Sequence, residues 1–322
     1  MKNVIPGGTG QVGAVLKRAL DAAGHEVVIL TRHPMREGEV TWDGRTLGPW
    51  TAAVDGSDVV INLAGRSVSC RYTGTNLQEM MDSRVCSTRV VGAAIAGAAR
   101  PPRVWLQMST ATVYAHRSDA PNDEATGVIG GTEPGVPECW AYSVEIAKAW
   151  EQAQQQAETP TTRKIALRSA MVMSPDPGGV FAVLLGLTRL GLGGPVAGGA
   201  QYVSWIHEHD FVRAVEFLID QEDIAGPVNL AAPHPLPQRA FLHTLRSAWG
   251  VPVGLPATKW MAEVGACALR SDTELLLKSR RVVPGRLIQA GFDFQYAQWP
   301  QAADELVRRV RKQAGTSCAA RR

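Results

Sequence analysis

Gly7, Gly10 and Gly13 recur at every third position, after the apolar Val4-Ile5 and before the amphipathic run Ala14 to Leu20. A strand, a glycine turn and a helix start in that order make a dinucleotide site. The helix N-terminus offers unpaired N–H groups and the positive end of its dipole. Glycines there remove the side chains that would keep a pyrophosphate away. Gly7, Gly8, Thr9, Gly10, Gln11, Val12 and Gly13 are therefore expected to contact a nucleotide cofactor. The following strand, Glu26 to Leu30, supplies the context this motif needs. It ends in Thr31-Arg32-His33, where an NAD site would carry a carboxylate for the ribose 2′-hydroxyl. Arg32, with its planar fork of donors, and the Thr31 hydroxyl suit a 2′-phosphate instead, so NADP(H) is favoured over NAD(H). Asp58 to Gly65 reads as a buried strand ending on small residues. Leu63, Ala64 and Gly65 would let the backbone lie along the cofactor, and Asn62 has two open roles, contact with the cofactor or tying two strand-end loops together.

The elements that position these residues alternate. Strands are expected at 2–5, 26–30, 58–63, 103–108 and 164–168, and helices at 11–23, 76–99 and 141–157. This predicts an α/β fold, a Rossmann-type doubly wound parallel sheet with a smaller, mostly helical C-terminal lobe. The expected division is a Rossmann domain over 1–175, with 203–232 returning to it, and a substrate-side lobe over 176–202 and 233–322. A single strand is expected over 202–206, a helix over 209–220 and a short strand over 228–230. Ligands of such sheets bind at the carboxyl ends of the strands. Met108, Ser109 and Arg168 are placed there by the pattern, and count as cofactor-side candidates.

The chain of 322 residues is 45% hydrophobic and carries a net charge of +3. That charge, with no basic stripe interleaved with aromatics, argues against nucleic acid. No run is apolar for long enough to cross a membrane. Five scattered cysteines, Cys70, Cys86, Cys139, Cys267 and Cys318, lack metal spacing and suit a reduced, cytoplasmic setting. No G-x-S-x-G motif occurs, and His207-x-His209-Asp210 lacks the further ligands a metal needs, so no metal is expected. The tail from Ala314 to Arg322 is expected to fray. A small-molecule substrate is the expected partner, and a homodimer stays open.

The residues resemble the extended short-chain dehydrogenase/reductases, the NAD(P)-dependent epimerases and dehydratases. Gly7 to Gly13, Asn62-Leu63-Ala64-Gly65, Ser109 to Tyr114, Leu167 to Val172 and Trp205 to Asp210 carry the resemblance. Val40-Thr41-Trp42-Asp43, Asp82 to Val85, Ala149-Trp150-Glu151, Gly191 to Pro195, Ser279 to Leu287 and Ala290 to Phe294 narrow it. They point to an epimerase-like subfamily with a C-terminal domain of unknown function.

The resemblance implies hydride transfer assisted by a Ser/Thr, a Tyr and a Lys, the last two spaced Tyr-x-x-x-Lys on one helix face. Thr110 matches the hydroxyl position, and Ser109 would face the nicotinamide. Arg84 stands where relatives carry an asparagine near the active site, and could contact the cofactor or an anionic substrate group. No Tyr-x-x-x-Lys exists: Tyr142 and Lys148 are six apart, which on a regular helix points them about 120° apart. Anchored on Trp150-Glu151, the tyrosine position falls near Ser143 and the lysine near Ala147. Thr110, Tyr142 and Lys148 are the catalytic candidates. Asp210 is expected to cap a helix N-terminus. Two functions follow. One is an NADP(H)-dependent oxidoreductase or epimerase acting on a small polar, sugar-like substrate. The other is a non-catalytic NADP(H)-binding redox sensor or scaffold.

Overall fold

A computed structural model describes residues 1–268 and 272–319, so the last part of the expected frayed tail, 320–322, lies outside the described residues. The chain begins with β1 (Lys2–Pro6), α1 (Gln11–Ala22), β2 (Glu26–Thr31), β3 (Glu39–Thr41), α2 (Thr51–Val54) and β4 (Val59–Asn62). Next come α3 (Gly74–Ala96), β5 (Val104–Thr110), a 3-10 turn (Ala111–Val113), α4 (Glu138–Gln155) and β6 (Arg163–Ser169). The chain continues through β7 (Met171–Met173), α5 (Val180–Arg189), β8 (Tyr202–Val203), β9 (Trp205–His207), α6 (Glu208–Asp220) and β10 (Gly226–Leu230). It ends with β11 (Leu236–Pro237), α7 (Gln238–Trp249), α8 (Lys259–Ala268), α9 (Glu274–Leu277), α10 (Gly285–Gln289) and α11 (Trp299–Ala319).

Seven strands form one sheet in the order β3-β2-β1-β4-β5-β6-β10, and every neighbouring pair is parallel. The order turns back between β1 and β4, which creates a crevice at the carboxyl ends of those strands. Strand alternation splits the core into two layers. Ile5, Ile61, Leu106 and Ile165 face Leu16 and Leu20 of α1 and Phe211 and Leu218 of α6. Val4, Val60 and Trp105 face Val91 and Ile95 of α3. Each fully buried aliphatic side chain contributes about 1.5–3 kcal/mol, so both faces are firmly covered.

Residues 202–206 do not form one strand. The chain breaks at Ser204, whose hydroxyl donates to the Arg280 carbonyl at 2.5 Å and accepts from the Val282 N–H at 2.8 Å. On either side, β8 pairs with β11 and β9 pairs with β7, both outside the main sheet. β10 does join the sheet, as the strand beside β6. A second core lies among α5, α7 and α11, with Phe241 stacked on Trp299 at 4.0 Å between ring centroids.

The N-terminus of α6 differs from the expectation. His207 caps it, its Nδ1 accepting from the His209 N–H at 3.1 Å. The Asp210 carboxylate instead accepts from the backbone N–H groups of Gln295 and Tyr296. With Nδ1 an acceptor, Nε2 carries the proton and donates to Glu305 at 2.9 Å. The His207 ring is fully buried. Burial, followed by the neighbouring His209, holds its pKa down at about 3. The unfolded chain takes up a proton below about 6.5 while the folded chain does not. Stability is therefore present above that pH and is lost as pH falls toward about 3, by roughly 1 kcal/mol per pH unit from this group. His207→Asn keeps a capping oxygen and cannot titrate. Urea midpoints measured at pH 7 and pH 5 are expected to fall less in this variant than in the wild type. An equal fall would mean that His207 is not buried neutral.

Candidate functional site

The glycine turn owes its shape to close backbone approaches. A Cβ on Gly13 would lie 2.1 Å from the Gly8 carbonyl oxygen, and one on Gly7 would lie 2.6 Å from Ala64 Cα. Gly7 also sits at φ +72°, a region that disfavours side chains. Gly7 and Gly13 thus serve internal contacts, not ligand clearance as the spacing suggests. Gly10 is the residue that clears space, since a Cβ there would meet nothing within 4 Å. It is also the N-cap of α1 and brings no side-chain cap. The first N–H groups of α1, at Gln11, Val12 and Gly13, consequently stand at the mouth of the crevice. The Val12 side chain packs into the core. The Gln11 amide is buried beside Gly179, and its Nε2 has no partner among the described residues.

A cavity of about 830 Å³ opens here, of the size that holds a cofactor. Gly7, Thr9, Gly10, Thr31, Arg32, Leu63, Ala64 and Gly65, all expected from the sequence, line it. Asn62 takes the tying role: its Nδ2 donates to Gln107 and its Oδ1 accepts from the Ala64 N–H. Asp43, Gly44, Arg45, Arg66, Glu79 and Ser83 also line the cavity and were not anticipated. Arg84 lies behind its wall. Its side chain packs on Gly65, donates to the Met80 carbonyl and lies 4.8 Å over the Trp150 ring. Burial lowers its pKa to about 10.

Three expected cofactor contacts are turned inward. Met108 packs against the central core. The Ser109 hydroxyl donates to Glu151 at 2.6 Å. Arg168 forks onto both Glu151 oxygens at 2.9 and 2.8 Å and donates to the Tyr114 hydroxyl at 3.0 Å. Burial pulls its pKa down, but the Glu151 hydrogen bonds and charge outweigh that and raise it. Ser109 and Arg168 are register partners on one face of β5 and β6, where Glu151 of α4 accepts from both, and strand alternation sends Met108 to the opposite face. Thr110 accepts from the Thr112 N–H at 3.1 Å and stays partly exposed at the strand end.

Tyr142 and Lys148 are not brought together. Val144, Ala147, Trp150 and Gln154 form the buried stripe of α4, which leaves the other two on its flanks. The Tyr142 hydroxyl donates to Gln78 at 3.2 Å, and Lys148 pairs with Glu145 at an exposed position. Ser143, near which the resemblance places the family's tyrosine, donates to Glu274 at 2.7 Å. Glu274 and Lys278 are buried and 3.4 Å apart, and Lys278 donates to the Thr112 carbonyl at 2.8 Å. Burial lowers the Lys278 pKa and the Glu274 charge opposes that. Arg280 donates to the Thr112 hydroxyl at 3.1 Å. The segment 272–280 thus brings a polar cluster against α4. Sequence reasoning missed Glu274 and Lys278. The one available signal was the neighbouring Ser279-Arg280-Arg281. Among the described residues no three His, Cys, Asp or Glu side chains gather as a metal site, and no helix is long and apolar enough to cross a membrane.

The pattern of the NAD dependent epimerase/dehydratase family matches residues 4–231, and that of a domain of unknown function, DUF1731, matches residues 259–306. The chain belongs to the epimerase/dehydratase family, in its extended short-chain dehydrogenase/reductase form with the appended C-terminal domain. It is 30% identical over 313 residues to the epimerase family protein SDR39U1 of Bos taurus, covering 95% of this chain and 100% of that one. The epimerase family protein Mb2239 of Mycobacterium bovis is 31% identical over 296 residues, covering 91% and 93%. Among solved structures, human SDR39U1 (isoform 2) with NADPH superposes with a TM-score of 0.83 at 28% identity, over 96% of this chain and 99% of that one. The nucleoside-diphosphate sugar epimerase of Corynebacterium glutamicum gives 0.74 at 25% identity, over 94% and 57%.

The glycines separate in a test. Gly10→Val leaves the fold intact, with an unchanged melting temperature, and abolishes binding of NADPH followed by its fluorescence. Gly13→Ala forces overpacking and costs about 2–3 kcal/mol or more of stability. Normal NADPH binding by Gly10→Val would remove the turn as the phosphate site.

Proposed function

We propose that this chain is an NADP(H)-dependent oxidoreductase or epimerase acting on a small polar, sugar-like substrate. The observation that carries the reading is the cavity at the β1/β4 crevice, where Gly10 leaves open space in front of the uncapped α1. Anion binding is the chemistry of that arrangement. The NADPH in the human SDR39U1 structure supports the same cofactor class. Arg32 beside Thr31, in place of a carboxylate, favours the phosphorylated form. The nicotinamide dinucleotide, when bound, supplies a carrier for hydride.

The chain's own residues do the rest. The α1 N-terminus holds the pyrophosphate. Thr110 keeps its hydroxyl proton for a substrate oxygen, since its oxygen already accepts from the Thr112 N–H. Ser143, backed by Glu274, offers a proton route where Tyr142 does not. In the oxidative direction a substrate hydroxyl gives its proton to Ser143 as Ser143 gives its own to the Glu274 carboxylate. Lys278 holds Glu274 in place. In the reductive direction the same protons move back.

The sensor or scaffold reading draws on one observation, the separation of Tyr142 and Lys148 onto Gln78 and Glu145. A screen of carbonyl compounds and sugar nucleotides, read by NADPH oxidation, separates the two. Turnover is expected, with Tyr142→Phe nearly unchanged and Thr110→Val and Ser143→Ala each slower by about 10²–10³-fold. A loss of several hundredfold in Tyr142→Phe, roughly 3–4 kcal/mol of barrier, would restore the usual tyrosine relay. Saturable NADPH binding with no turnover across the panel would favour the sensor.

A further inference from the structure

Three arginines line the cofactor cavity, Arg32, Arg45 and Arg66, and two carboxylates, Asp43 and Glu79. Their pairing is uneven. Arg66 forms an ion pair with Glu79 and donates to Asn76 at 2.9 Å. Both Asp43 oxygens are folded back into their own loop. Oδ1 accepts from the Arg45 and Thr46 N–H groups at 2.8 and 2.9 Å, and Oδ2 accepts from the Thr46 hydroxyl at 2.5 Å. Those bonds, the Thr46 hydroxyl first, hold the Asp43 pKa down at about 2. The guanidinium groups of Arg32 and Arg45 have no side-chain partner among the described residues. Two positive charges are left facing one end of the cavity.

Backbone pairing brings them to that end. β3 runs parallel to β2 with Thr41 opposite Thr31. The Trp42 N–H then donates to the Thr31 carbonyl at 3.1 Å, which carries the ladder one residue past the strand. Trp42 is buried edge-on to Trp50, with ring centroids 5.5 Å apart. The loop bearing Arg45 is thus anchored at its base and turned by Asp43. It leaves the sheet beside Thr31-Arg32.

We infer that Arg45 is a specificity-determining residue that closes on the cofactor's ribose 2′-phosphate from the side opposite Arg32. This rests on the NADP(H) reading given above. A phosphate with two full charges gains from two guanidinium groups, whereas a ribose hydroxyl gains little from the second. The Asp43 turn shapes the loop that presents Arg45.

Equilibrium titrations of the full chain with NADPH, NADH, 2′,5′-ADP and 5′-AMP test the clamp. The expected result is that Arg45→Ala weakens NADPH and 2′,5′-ADP about tenfold or more and changes NADH and 5′-AMP less than about threefold. Arg32→Ala is expected to behave alike, and the double variant to lose the preference. Arg45→Lys should recover part of the loss, because it keeps the charge but not the fork. Arg45 is exposed and its side chain has no partner among the described residues, so the variants fold, and unchanged melting temperatures check this. Full NADPH preference in Arg45→Ala, with the preference lost in Arg32→Ala, would overturn the clamp and leave Arg32 alone. An equal loss for all four nucleotides in Arg45→Ala would overturn it too, since the residue would then act on the shared adenosine. No preference for NADPH in the wild type would overturn the cofactor reading itself.

Discussion

The contact between α1 and the turn after β1 sets the geometry of the glycine turn. Gly13 lies so close to the Gly8 carbonyl that no other residue fits. Gly7 approaches Ala64 at the start of the next crossover in the same way. These two approaches press the helix start onto the sheet and aim its free N–H groups across the β1/β4 crevice. Gly10 leaves open space in front of those N–H groups. A helix one or two ångströms further out would keep its fold and lose its aim, and hydrogen bonds to phosphate are short and directional.

Three cations around that axis are paired. Arg66 meets Glu79, Arg168 meets Glu151, and Lys278 meets Glu274. The Lys278–Glu274 pair is fully buried, and such pairs add little net stability, but losing one partner is costly. The Glu274–Lys278 pair matters for another reason. It fastens the segment after α8 to the Thr112 carbonyl and to Ser143. The C-terminal region is thereby tied to α4 and to the turn that follows β5.

Much of this was legible in the sequence, for physical reasons. β1, β2, β4, β5 and β6 are runs of apolar residues with clear turn residues at their ends, and a parallel sheet needs such runs. Thr31 and Arg32 could be read because they stand at the end of a strand that follows the glycine turn and its helix. Other features had no local signal. β3 is three residues long and has no buried residue, so it carries no periodicity. Yet the loop that follows it brings Arg45 to the same cavity as Arg32. Ser143 and Glu274 are 131 positions apart, and no spacing rule links them. Arg168 looked like a cofactor ligand because it ends a strand. Its direction depended on Glu151, a residue of a separate helix. The break at Ser204 likewise comes from partners at Arg280 and Val282, far along the chain.

The central claim is that the Gly10 turn and the two unpaired arginines form one phosphate-reading surface. The crystal structure of the NADPH complex tests it most directly. The account predicts the pyrophosphate against the N–H groups that open α1, over Gly10, and the 2′-phosphate between Arg32 and Arg45. A nucleotide bound elsewhere, or one whose 2′-phosphate faces solvent away from both arginines, would contradict it.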